Sequence, residues 1–423
     1  MKKPGLKCLL LGMVMCVTTN GIVHAQSSSD TTAKWGAKIY GFLRNDVIYD
    51  TRQMAAVREG ELSLFPLDIS PDSKGKDINA APTLNMAAIL SRAGFTITGP
   101  DAFGAKTSGV IEGEFWGAGL SSGNTNGFNL RHAYMMLDWS KTQLAFGQYW
   151  NPMFNIDCYP GVVNFNTGIP FEPLNRCPQI RLTQKLDRKN NLSLILAAMS
   201  QIDMTSVPSG VPLAQGVVPD LHAQLKYKTK KLLLGAGVDY LSLQPDLISG
   251  TPAIVSTERV NSLRYLVYVK VSLAPVVIKA QFTGGQNLAD QLMLGGYLGY
   301  QSSPTSVMTY KPTNTTAAWL DINTTGKKFV PGLFAGYTSN GGSASTGASA
   351  AFMNFGMGLN SASNIKDMIR VSPRMEFISG KFKFAVEIEY SSVNFGTSAG
   401  DATVSNTHSI TETRLIFMSK YSF

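Results

Sequence analysis

Few side chains in this sequence could do covalent or metal chemistry. Histidine occurs only at 24, 132, 222 and 408. His132, His222 and His408 fall in different candidate strands or loops, without metal-ligand spacing. There is no GxSxG elbow, no P-loop and no dinucleotide fingerprint. No enzyme, no metal and no cofactor is expected. Cys158 and Cys177 are the two cysteines outside the first 25 residues. In an exported chain an even count favours pairing, and the bridge would close a loop of about twenty residues, worth on the order of 3 kcal/mol. What the chain does offer is charge at alternate positions. Arg44 and Asp46, Glu112 and Glu114, Arg374 and Glu376, and Glu412 and Arg414 each stand two apart. In a strand that spacing puts both charges on one face. The chemistry is therefore electrostatic. Guanidinium stays charged at any working pH and presents several donors to carboxylate or phosphate.

The elements that must position these charges are strands. In the last stretch, residues 411–423, Leu415, Phe417, Tyr421 and Phe423 share one face, while Glu412, Arg414, Met418, Lys420 and Ser422 share the other. Phe382, Phe384, Val386, Ile388 and Tyr390 alternate with Lys381, Lys383, Glu387 and Glu389, and the same period runs through 263–273 and 179–186. Period two with one apolar and one charged face means two different media. Strand candidates recur at 36–50, 85–99, 105–118, 130–139, 142–150, 179–187, 191–201, 219–228, 231–243, 261–273, 276–283, 317–324, 327–338, 366–379, 381–394 and 411–423. That is about sixteen, an even number, with short turns alternating with long loops. The strand-like stretches 291–300 and 351–359 are placed in loops, because both as spanning strands would spoil the alternation. The pattern predicts an all-β fold, a transmembrane antiparallel β-barrel with short periplasmic turns and long outer loops.

Residues 1–25 read as a signal peptide. Lys2, Lys3 and Lys7 precede a short apolar run, and small residues stand at the cleavage positions Val23 and Ala25. Residues 26–35 form a linker and 36–423 the barrel. Removing the three leader lysines lowers the formal charge from +9 to +6, a scattered excess that does not suggest nucleic acid. No apolar run approaches the roughly 18 residues of a membrane helix.

A mid-strand charge facing lipid would cost roughly 2–4 kcal/mol, so the charged faces turn inward. A barrel of about sixteen strands leaves an aqueous channel, which these charges line. By parity Arg44, Asp46 and Arg52 point inward from the first strand, Arg92 from the second, Glu112 and Glu114 from the third. Arg181, Arg264, Arg370, Arg374, Glu376 and Arg414 do so further on. Arg131 joins them only if a bulge shifts its parity, since Asp138 in the same strand has the opposite one. Closure of the first strand on the last gathers Arg44, Arg92, Arg370, Arg374 and Arg414 into one stripe. The stripe either biases the pore mildly toward anions or is neutralised by Asp46, Glu376 and Glu412 to stabilise the wall.

This combination resembles the general porins of the Gram-negative outer membrane, most nearly the trimeric dicarboxylate-channel type. LRHAYMMLDWSKTQLAFGQYWNPMF is similar to their strand–turn–strand before the constriction loop, and RCPQIRLTQKL to the strand returning from it. GFLRNDVIYDTR resembles their opening strand, and IFMSKYSF their C-terminal signal for the barrel-assembly machinery. The resemblance implies a homotrimer in outer-membrane lipid and a third loop, 151–178, folded into the pore. It also implies Asp157 and Glu172 as constriction acids facing the arginine stripe. The function expected is passive diffusion of small hydrophilic solutes. The alternatives are a channel specific for carboxylates or phosphate, or a plugged structural or adhesion barrel.

Overall fold

The computed structural model describes residues 35–117, 126–206, 211–354, 358–359 and 362–423. The signal peptide and nearly all of the linker expected at the N-terminus lie outside the described residues. Sixteen strands form one closed antiparallel wall. They are β1 (Gly36–Asp50), β2 (in two segments, Thr83–Ala87 and Arg92–Ala102), β3 (Ala105–Glu114), β4 (Asn129–Asp138), β5 (Thr142–Trp150), β6 (Arg176–Lys185), β7 (Leu192–Met199) and β8 (Asp220–Lys228). The second half comprises β9 (Leu232–Leu243), β10 (Val260–Leu273), β11 (Val276–Gln286), β12 (Thr309–Thr324), β13 (Phe329–Ser343), β14 (Asn364–Ser379), β15 (Phe382–Ser398) and β16 (Val404–Ser422). β16 closes on β1 from Phe42 opposite Ser422 to Asp50 opposite Arg414.

Period two decides which way each side chain faces. On β15, Phe382, Phe384, Val386, Ile388 and Tyr390 are 41–51% exposed, while Glu387 and Glu389 are fully buried. Leu263, Tyr265, Val267, Leu415, Phe417 and Tyr421 likewise face outward. The exterior is thus an apolar belt and the interior carries the charge, as a lipid-facing wall requires. On β4 a register shift lies opposite Glu112 and Gly113, where His132 pairs with Glu112 and Leu130 with Gly113. Arg131 is the extra residue of that bulge, which turns it into the lumen although Asp138 also faces inward.

Two departures from the sequence expectation matter. β2 is interrupted at residues 88–91, where Ile89 and Leu90 bury themselves with Ala87 inside the lumen. Ser91 patches the break, its Oγ accepting the Arg44 N–H at 3.0 Å. β12, β13, β15 and β16 run well past their expected outer ends. Those extensions, such as Thr309–Thr316, are polar on both faces and so lose the two-sided period. Gly295–Tyr300 is a short strand of the outer loops, pairing with both the start of β12 and Ala350–Asn354.

The lumen is not an open cylinder. Loop residues Leu62, Leu64 and Phe65, then Met153, Ile169 and Phe171, then Leu288, Leu292, Met293 and Leu294 form one buried cluster. It packs on Leu266 and Tyr268 of β10, Trp319 of β12, Phe334 of β13, Met368 of β14 and Val393 of β15. Three loops (51–82, 151–175 and 287–308) therefore fold inward as an apolar plug against the β9–β16 side. Gly336 on β13 permits this, since a Cβ there would stand 2.6 Å from the Phe171 ring.

Candidate permeation site

The inward arginines fall into groups with different partners. On β2–β4, Arg131 Nε donates to Glu112 at 2.9 Å and its Nη1 to Glu114 at 2.6 Å. Arg92 reaches Glu114 at 2.9 Å, and Arg176, at the start of β6, pairs with Asp203 at 2.7 Å. On β14, β16 and β1, Arg370, Arg414 and Arg44 grip loop backbone. Arg370 donates to the carbonyls of Ile169 at 2.6 Å and Leu64 at 2.8 Å, and pairs with Glu389 at 3.1 Å. Arg414 donates to Gly60 O and pairs with Asp50, both at 2.7 Å. Arg44 pairs with Asp46 at 2.6 Å and donates to Val163 O at 2.7 Å. Arg374 pairs with Asp321 at 2.8 Å. Glu387 completes the grip by accepting the Val163 N–H at 2.7 Å.

The arginine stripe thus exists, but every member has a carboxylate, and Arg370, Arg374 and Arg414 are buried beneath the loops rather than lining a passage. Hydrogen bonds from a charged donor to a buried carbonyl are among the stronger ones in proteins. The stripe's demonstrable work is to hold two loops inside the barrel. Arg52, expected on the lumen wall, lies beyond the end of β1 and ties the outer loop through Leu67 O and Asp77. On β10, Arg264 is fully buried and meets three carboxylates: Asp220 at 2.8 Å, Asp239 at 2.5 Å and Asp290 at 2.6 Å. Arg181 on β6 faces the lumen beside Tyr149 with no carboxylate partner among the described residues, donating to Gln179 at 2.8 Å.

The two acids expected at a constriction do not face the stripe. Asp157 meets Lys228 at 2.6 Å and Lys226 at 3.2 Å on β8. Burial opposes its charge, but hydrogen bonds from these two lysines win and hold its carboxyl below the usual range. Glu172 is fully buried in the plug. Its Oε2 accepts Trp319 Nε1 at 2.5 Å and Gln281 Nε2 at 2.9 Å, while Oε1 has no partner. Nor do the cysteines bridge. Both are buried free thiols, Cys158 Sγ pointing to Val269 O on β10 and Cys177 packing on Ala197 and Met199 of β7. The expected disulfide is not formed because the two side chains belong to different packing clusters.

Burial pushes the Glu172 carboxyl well above the glutamate range, opposed only in part by the Trp319 bond and the Lys279 charge. A raised folded-state value makes the proton part of the folded loop, so this stabilisation is full only below the free glutamate range and is lost progressively as pH rises through the raised value. Current noise from the loop should increase as the pH is raised, and Glu172→Gln should abolish the increase. Glu172→Ala, which leaves the Trp319 N–H without an acceptor, should loosen the loop at every pH, at a cost of about 1–3 kcal/mol.

The period-two pattern by itself gives the lysines no role. Lys185, Lys226, Lys270, Lys279, Lys383 and Lys420 all stand at lumen-facing positions toward the short-turn end. Lys383 is paired with Glu376 at 2.8 Å and Lys279 with Asp321 at 3.1 Å. Lys226 and Lys228 share Asp157. Lys270 donates to Asp157 O at 3.1 Å and Lys185 to Ser193 Oγ at 3.3 Å. Lys420 lies over the Phe42 ring at 3.8 Å. Lys185, Lys270, Lys420 and Arg181 have no carboxylate partner among the described residues. The lumen mouth at this end therefore carries uncompensated positive charge, which the arginine stripe does not.

A closed sixteen-strand wall with an apolar exterior, a charged lumen and a loop folded inside is a porin-type membrane barrel. No protein-family model matches the chain, and no curated protein does. Solved structures do. The outer-membrane channel DcaP of Acinetobacter baumannii superposes with a TM-score of 0.66 at 18% identity, covering 92% of this chain and 97% of that one. A loop-deletion mutant of OmpT of Vibrio cholerae gives 0.54 at 12% identity over 92% and 99% of the two chains. An anion-selective porin from Comamonas acidovorans gives 0.53 at 9% identity over 92% and 100%. At these identities the likeness is one of fold: the chain has the fold of the outer-membrane porins and channels.

Proposed function

We propose that this chain is an outer-membrane porin that lets small hydrophilic solutes diffuse passively, with a mild preference for anions. The observation that carries the reading is the set of lumen cations without carboxylates, Arg181, Lys185, Lys270 and Lys420, each lining a recess that opens at the short-turn end. In a narrow passage with low-dielectric walls such charges concentrate counter-ions. The charge responsible is mainly lysine, since the arginines are matched. A leader for export and the aromatic C-terminal strand for delivery to the assembly machinery fit the same reading. One of the matched OmpT structures of Vibrio cholerae is a trimer form, and a homotrimer is the assembly we propose here.

The plug favours a second reading, a structural barrel with a filled lumen. Reconstitution in planar bilayers separates the two. The porin should give stable ohmic steps whose zero-current potential in a salt gradient reports anion preference. A folded, heat-modifiable, strand-rich protein that never conducts would leave the structural barrel standing.

A further inference from the structure

Three recesses lie in the lumen beside the plug, lined by side chains of β1–β8 and, at the turn end, of β14–β16. One of about 540 Å³ opens toward the short turns between Arg44, Arg92, Lys383 and Lys420. One of about 340 Å³ sits beside it, against Tyr149, Arg181 and Lys185. A third, of about 130 Å³, opens toward the long loops and is lined by Leu62, Trp116 and Met204. Arg131, Trp150, Phe165 and Leu174 line both the first and the third. Trp150 lines all three.

We propose that solutes pass only through these recesses and that the Trp150 indole is the partition that sets the bore. This rests on the porin reading. The rest of the lumen holds the plug, whose Phe171, Trp319 and Phe334 are packed ring against ring. Trp150 is held from several directions. The guanidinium groups of Arg131 and Arg176 lie 5.5 and 5.8 Å from its ring centre. The Phe154 ring is at 4.5 Å and the His132 ring at 5.1 Å. Cation–π contacts of this kind are stronger when desolvated, and both arginines are themselves pinned by Glu112, Glu114 and Asp203.

The charges that pin the indole are matched. Arg92, Arg131 and Arg176 stand against Glu112, Glu114 and Asp203. At this level the passage discriminates by size and by tolerance of an aromatic wall, not by sign. Sign is read at the lysine mouth on the turn side. Bore and charge filters are therefore separate places in this lumen, and each can be altered without the other.

Single-channel recording tests this. Trp150→Ala should raise conductance by about twofold or more, because it joins the recesses that the indole divides, and Trp150→Phe should fall between. The zero-current potential should not move. Phe334→Ala, which thins the plug, should leave conductance as in the wild type. Unchanged conductance in Trp150→Ala with an increase in Phe334→Ala would place the path through the plug and overturn the proposal. Should Trp150→Ala fail to fold, judged by loss of the mobility shift on boiling, Leu174→Cys provides the second readout. A sulfonated thiol reagent should cut its current by half or more, and the buried Cys158 and Cys177 leave the unmodified protein insensitive. No block at Leu174→Cys also overturns the proposal. A silent wild type with a conducting Trp150→Ala variant would support the partition. Silence from both would sink the porin reading along with it.

Discussion

Arg264→Met should release the 287–308 loop from the barrel wall while leaving the barrel closed. Arg264 is the cation at the centre of Asp220 on β8, Asp239 on β9 and Asp290 in the loop. His222 adds a ring nitrogen 3.4 Å from Asp239. All of these side chains are buried. Removing one partner of a buried ion pair costs about 3–5 kcal/mol, because the remaining charge is left uncompensated. Here three carboxylates lose their only guanidinium. Two of them are fixed in strands by backbone pairing, whereas Asp290 sits on a short 3-10 turn, Ala289–Gln291. The cheapest relief is for the loop to leave. It would take Leu288, Leu292 and Leu294 out of the plug. β9 and β10 keep a continuous ladder from Leu232 opposite Val271 to Leu243 opposite Val260, so the wall survives. Limited proteolysis should cut within 287–308 in the variant and not in the parent, with the boiling shift retained in both. Adding Asp290→Asn should recover part of the protection, since a neutral amide tolerates the site. A variant loop as resistant as the parent's would refute the clamp.

The wall and its faces were readable because period two is a local signal. Parity alone places Arg181, Arg264, Arg370 and Arg414 inward, whereas the clash between Arg131 and Asp138 leaves a bulge in β4 only as one possibility. What parity does not carry is the partner. Arg264 meets Asp220 across two strands and Asp290 from a loop, and only the full register brings them together. The plug was hidden for a related reason. Leu62, Leu64 and Phe65, or Leu292, Met293 and Leu294, are apolar residues in segments assigned to water-exposed loops. Their composition was the available signal, but it has no period to say what they cover. The cysteines show the same limit, since an even count says nothing about direction, and Cys158 and Cys177 face different neighbours. Asp157 and Glu172 were carried over from a resemblance of loop position. Loop position fixes the height of a residue in the lumen far better than the wall it faces.

Neutralising Lys185, Lys270 and Lys420 together to glutamine should abolish the anion preference, and adding Arg181→Gln should carry it toward cations. These four lumen positions have no carboxylate partner among the described residues, so their charge acts on mobile ions. The arginines of the stripe behave differently. Arg370 and Arg414 are matched by Glu389 and Asp50 and hold loop carbonyls. Neutralising them should disturb the plug, with noisier current, before it changes ion sign. The salt dependence distinguishes a field from a binding event. The Debye length grows from about 10 Å at 0.1 M to about 30 Å at 0.01 M. The wild-type preference should therefore be largest in dilute salt and fade in concentrated salt, and the triple variant should be nearly flat across the series. The measurement is the zero-current potential in a fixed salt gradient at several mean concentrations. If the triple lysine variant keeps the parent potential while an Arg92→Gln variant loses it, the sign filter lies at the β2–β4 lattice. The assignment of selectivity to the lysine mouth would then be wrong.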